Sequence, residues 1–168
     1  MGAASSTGLS GRSDVLISLE NKKDIDLNTI LDTLKISTGI DWSFGIGDNQ
    51  INCLFHDKDS TDETGKTIAV NAGATIKNAF GDVITLDALK LLYVKNTHET
   101  LTLEVLGMAT TAIPILADPA DIIEIPPLGF MLWVAPLTGL DVTTNENLKF
   151  ASKTAGTITF EYAIAGLD

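Results

Sequence analysis

Apolar and polar positions alternate along most of this chain in short runs, with Gly, Asn, Asp and Pro between them. The clearest run is Thr157–Ala165 (TITFEYAIA). It places Ile158, Phe160, Tyr162 and Ile164 on one face of a strand and Thr157, Thr159, Glu161 and Ala163 on the other. Leu101–Val105 alternates in the same way, with Leu101, Leu103 and Val105 facing inward and Thr102 and Glu104 facing water. The turn Thr97–Thr100 joins it to a preceding strand, Lys90–Asn96. Trp42, Phe44 and Ile46 share a face in Asp41–Gly47, and Ile51–His56 follows the turn Asp48-Asn49, which predicts a hairpin. Val15–Leu19, Leu34–Ser37, Thr67–Val70 and Leu148–Ala151 are shorter strand candidates. Ile25–Leu34 is ambiguous because its Ile and Leu fall at helical spacing, and Val83–Leu89 allows one helical turn. Many short strands at a spacing of about ten residues predict an all-β fold, an antiparallel β-sandwich or jelly roll.

One stretch departs from the alternation. In Asp121–Pro136 the β-branched run Ile122–Ile125 is broken by Pro126-Pro127-Leu128-Gly129, and Phe130–Ala135 then runs without a polar residue to Pro136. A strand of this kind needs cover on both faces. Met131 and Trp133 occupy one face, and Phe130, Leu132 and Val134 the other. The core of the chain can cover one face and a second subunit the other, so these five residues are the candidates for an oligomer interface. At the opposite end of the chain, residues 1–14 are rich in Gly, Ser and Ala and read as a flexible, disordered tail, or alternatively as an extended arm that orders against a neighbouring subunit. Residues 15–168 then form a single sandwich domain.

Composition narrows the function more by exclusion than by assignment. A length of 168 residues and an apolar content of 45% suit one domain with a real core. A net charge of −11 argues against nucleic acid and against an anionic membrane surface as partners. The single cysteine, Cys53, excludes an intrachain disulfide and reads as a small buried hydrophobe, with His56 on the opposite strand face. His56 and His98 have no ligand spacing, and no zinc set assembles. The acidic stretch Asp57–Gly65 fails the EF-hand pattern, with Asp62 and Ile68 where Gly and Glu are required, and reads as a solvated loop. No GxSxG is present, and Gly65-Lys66-Thr67 lacks the upstream glycine of a phosphate loop. Trp42, Trp133 and Tyr162 fall on apolar positions that suit core packing better than a sugar platform. The expectation is a protein that is not an enzyme, with no catalytic residues, no cofactor and no metal.

The strand endings of the second half carry a resemblance. LKLLYVKNT from Leu89 ends in Lys-Asn-Thr, and Leu101–Gly107 (LTLEVLG) ends in Gly. Ile123–Phe130 (IEIPPLGF) turns a Pro-Gly corner into a hydrophobic strand, and Ile158–Gly166 (ITFEYAIAG) closes the series. This order resembles small virion proteins of tailed bacteriophages, in particular head decoration (cement) proteins with β-sandwich or jelly-roll folds. The resemblance implies a homo-oligomer, a trimer, bound to the phage major capsid protein on the capsid exterior of a virion assembled in the host cytoplasm. It implies that trimerisation covers Phe130–Val134, and that Gly2, Ser5, Ser6, Leu9 and Arg12 contact the capsid through the N-terminal arm. A tail or fibre component and a carbohydrate- or receptor-binding β-sandwich are the alternative readings.

Overall fold

The computed structural model describes residues 8–25, 28–71, 76–106, 112–115, 121–144 and 146–168; the side chains of 21–25, 28–32 and 106 are left aside. The described residues contain no helix, and the fold is all-β. Its strands are β1 (Gly11–Ile25), β2 (Asn28–Phe44), β3 (Gln50–Ile51), β4 (Cys53–Thr61), β5 (Lys66–Ala69) and β6 (Ala88–Asn96). They continue with β7 (Leu103–Leu106), β8 (Ile122–Ile125), β9 (Phe130–Val134), β10 (Leu140–Asp141), β11 (Asn147–Ser152) and β12 (Ile158–Leu167).

Leaving out β1 and β2 and the two-residue strands β3 and β10, the rest pair from the outside of the sequence inward. The first pairs with the last (β4 with β12), then β5 with β11, β6 with β9 and β7 with β8, all antiparallel. Two further pairings, β12 with β6 and β11 with β7, join these hairpin-like pairs into two layers. One layer runs β9-β6-β12-β4, with β10 extending the β9 edge along β6, and the other runs β5-β11-β7-β8. The layers form a sandwich because each strand turns its apolar positions inward. Phe55, Leu92, Val94, Phe160, Tyr162 and Ile164 of the first layer share one core with Ile68, Leu103, Val105, Ile125, Leu148 and Phe150 of the second. Phe150 and Phe160 stack across the layers with ring centroids 4.8 Å apart. Strand β12 follows its sequence pattern, with Ile158, Phe160, Tyr162 and Ile164 buried and Thr159 exposed.

Two local devices fix the edges of the first layer. Between Ala165 and Gly166 the β12–β6 register shifts, which leaves Lys90 as an extra residue on β6. Gly166 is required there, because a Cβ would run into the backbone carbonyl of Ala88. At the other end of β6, Asn96 is fully buried. Its amide Nδ2 donates to the carbonyls of Leu101 (2.7 Å), Ile125 (3.0 Å) and Pro126 (3.1 Å), and its Oδ1 accepts from the backbone N–H of His98 (2.9 Å). The Pro-Pro-Leu-Gly corner before β9 is therefore held from β6, and its Leu128 adopts a left-handed backbone (φ 59°).

Several sequence expectations change. Ile25–Leu34 is strand, not helix, apart from the undescribed 26 and 27, because β1 and β2 pair continuously from Gly11↔Trp42 to Ile25↔Asn28. The predicted hairpin between Asp41–Gly47 and Ile51–His56 does not form. Strand β2 is taken by β1 and β4 by β12, and β2 instead meets β3 in parallel at Ser43↔Gln50 and Phe44↔Ile51. Asp57–Thr61 belongs to β4, so the loop reading of the acidic stretch holds only from Asp62. Charged residues are tolerated there because β4 is an edge strand. The chain between Val83 and Leu89 is extended and makes no helical turn.

Candidate interaction surface

Strand β9 is placed by pairing with β6 from Leu91↔Val134 to Lys95↔Phe130. Met131 and Trp133 pack against the main core, as the alternation requires. The other face is not closed by the chain itself. Phe130 is 67% exposed, and Leu132 and Val134 are half-buried, as Met131 and Trp133 are on the core side. Tyr93, beside Leu132 in the register, is half-buried too, and its ring lies 6.2 Å from that of Phe130. Leu128 adds a further exposed apolar side chain on the corner that leads into this strand. A bulky residue held in the left-handed region costs energy, which marks the corner as a position under constraint.

The second surface belongs to β1 and β2, which form a two-stranded arm outside both layers. At about 3.4 Å per residue its pairs span about 50 Å. Directly opposed residues share a face, so Ser13, Val15, Ile17 and Leu19 lie with Ile40, Thr38, Ile36 and Leu34. Over these four pairs the face carries no charge, yet Val15, Ile17, Leu19, Leu34 and Ile36 are all exposed. The opposite face holds Arg12, Asp14, Glu20, Lys35 and Asp41 around an exposed Leu16. There Arg12 pairs with Asp14 (2.7 Å) and Asp41 (2.9 Å), which raises its pKa further, first through the hydrogen bond to Asp14 and then through that to Asp41. Of the residues expected to contact a capsid, Arg12 is thus engaged within the arm, and Leu9 is half-buried at its root. Gly2, Ser5 and Ser6 lie outside the described residues.

The root of the arm joins the two surfaces. Trp42 is buried with Ile51 and Ala165, and Leu9, Ile40, Leu91 and Val134 pack around them. Its indole N–H donates to Ser13 Oγ at 2.7 Å. This cluster lies on the outer side of the β9-β6-β12 layer, separate from the sandwich core. Below it Lys90, the extra residue on β6, is fully buried and donates from Nζ to the carbonyl of Gly47 at 2.7 Å. Burial pushes the Lys90 ammonium below its usual range, with Asp48 acting in the opposite sense. Lys90 thereby pins the 45–49 turn, where the arm re-enters the sandwich. The uninterrupted apolar run of β9 gave a sequence signal for its second face, but nothing in the sequence marked Lys90 or Asn96 for burial.

The remaining chemistry is sparse. An open groove of about 420 Å³ is lined by Phe55, His56, Asp57, Asp59, Lys66, Lys77 and Tyr162, among others. Within it Lys66 is paired to Asp59. Burial, followed by Asp57 and Asp59, pushes the Tyr162 phenol upward and keeps it protonated. Among the described residues no group of three or more His, Cys, Asp or Glu side chains is placed to hold a metal ion. His98 acts as a turn acceptor, its Nδ1 taking the backbone N–H of Thr100 (3.1 Å) and Leu101 (3.0 Å). His56 is exposed on β4, on the face opposite buried Cys53. Burial, followed by Asp168 and Asp87, raises the Cys53 thiol from 9.0 to about 11.

Cys53 is expected to resist an aromatic disulfide reagent at pH 8 in the folded protein and to react fully once denatured. The folded thiol keeps its proton to about pH 11, whereas the unfolded thiol ionises near 9.0. The stability it contributes is therefore intact below about pH 9 and is lost as pH rises toward 11. Rapid stoichiometric labelling of native protein at pH 8 would contradict this placement.

No family model, curated protein or solved structure matches this chain.

Proposed function

We propose that this protein is a non-enzymatic structural subunit, a decoration protein that binds the outer surface of a tailed-phage capsid as an oligomer and stabilises the shell. The observation that carries this reading is the pair of uncovered apolar surfaces, the outer face of β9 and the charge-free face of the β1–β2 arm. A solitary soluble domain has no use for either, and an isolated two-stranded hairpin is only marginally stable in water. Contiguous apolar surface of this kind calls for a protein partner. The first-with-last strand pairing supports the reading too, because it is the order of a jelly roll. The stretches that resemble decoration proteins overlap β6, β7, the corner before β9, and β12, with Gly107 outside the described residues. A net charge of −11 suits an exterior position away from the packaged genome.

The test is co-sedimentation of the full chain with assembled tailed-phage shells and, separately, with free major capsid protein. Binding to shells alone, with a higher temperature of shell rupture, is the expected result. Equal binding to free subunit, or none to shells, would remove the decoration reading.

A further inference from the structure

Two apolar surfaces diverge from the Trp42 cluster. One continues outward along the arm from Ile40 through Ile36 and Leu34. The other continues across the outer face of the first layer from Leu91 and Val134 to Tyr93 and Leu132, and then to Phe130. Within one chain they do not meet. Beyond Ile40 every arm residue from Thr33 to Gly39 is exposed, while Phe130 at the far end of the other surface is exposed as well. We propose that they meet between two copies of this chain, the charge-free face of one subunit's arm lying on the outer β9-β6-β12 face of its neighbour. This takes the oligomer of the proposed function as its starting point and does not depend on the shell.

Two features favour a second copy as the occupant. The two surfaces are present on the same molecule and share one root, so a single arrangement can cover both in every subunit. Charge permits the contact, although the subunits carry −11 each. The eight arm residues Ser13, Val15, Ile17, Leu19, Leu34, Ile36, Thr38 and Ile40 are uncharged. On the receiving layer Lys58 pairs with Glu161 at 2.6 Å, and the next residue across from Glu161 is Lys95. The repulsion expected of an acidic protein is thus absent where the contact forms.

The test uses the full chain in three forms. Light scattering of the parent protein is expected to give a multiple of 17.8 kDa. Ile17→Asp combined with Ile36→Asp is expected to reduce this to the single-chain mass while leaving the melting transition of the sandwich in place. Ile17→Cys chains mixed with Leu132→Cys chains are expected to give a crosslinked dimer with a short bismaleimide, because buried Cys53 does not compete. An oligomer that gives no such crosslink would overturn arm exchange while leaving the oligomer standing. So would a chain carrying both substitutions that crosslinks only within itself. A single-chain mass for the parent protein, with the arm protected from proteolysis only on shells, would place the arm on the shell and overturn the exchange. A crosslinked dimer that fails to bind shells supports the exchange and removes only the capsid reading.

Discussion

Asn96→Ala is expected to destabilise the protein by about 2–4 kcal/mol, measured by chemical denaturation. The residue is fully buried at the end of β6 and closes four hydrogen bonds, to the carbonyls of Leu101, Ile125 and Pro126 and from the N–H of His98. Its two N–H groups serve three carbonyls, so one is shared. Truncation removes every side-chain partner at once and leaves the Ile125 carbonyl, the most enclosed of the three, without its side-chain donor. Asn96→Asp separates hydrogen bonding from packing. It keeps the shape but aims a carboxylate at three carbonyl oxygens, so at pH 7 it is expected to cost more than the alanine. Its deficit relative to the parent chain then narrows as pH falls toward 4, because protonation returns one O–H donor. The loss is expected to appear as faster exchange in 97–101 and 125–130, with the backbone N–H of residue 96 still donating to the Gly129 carbonyl (2.9 Å). A loss below about 1 kcal/mol would show that solvent reaches these carbonyls.

The sandwich was legible in the sequence where strands have one wet face. Strands β6, β7, β9, β11 and β12 fall where alternation or an apolar run places them, and Met131 and Trp133 of β9 turn to the core together, as their spacing requires. The arm was not legible as an arm. Val15–Leu19 and Leu34–Ser37 read as two unrelated short strands, because Ile25, Ile30, Leu31 and Leu34 between them also satisfy a helical period. What decides for strand is a pairing with β1, which a local window does not contain. The same limit explains the wrong hairpin at Asp41–His56, since β4 finds its partner in β12, about a hundred residues away. Lys90 and Asn96 were passed over for a different reason. Both residue types are normally exposed, and only a register shift for Lys90 and converging loops for Asn96 make burial tolerable. Cys53 and Tyr162, whose preferences agree with their places, were read correctly as core residues.

Trp42→Ala should release the arm and spare the sandwich. Trp42 is buried in a cluster of its own, with no member in common with the main core, so its truncation cost of about 3–5 kcal/mol falls on the docking of β1 and β2. That cost corresponds to amide exchange faster by a factor of about 150 to 5,000 in 11–19 and 34–42, with β6 and β12 unchanged. Trp42→Phe keeps most of the packing but loses the 2.7 Å bond to Ser13, and an intermediate effect is expected. The variant also separates the two anchors of the arm, because Lys90 still holds the Gly47 carbonyl after the tryptophan is gone. If the arm and sandwich were one cooperative unit, the sandwich transition would fall in step with arm exchange. A separate response would instead establish the arm as an independently released element, able to leave its own Trp42 cluster without unfolding the body that carries it.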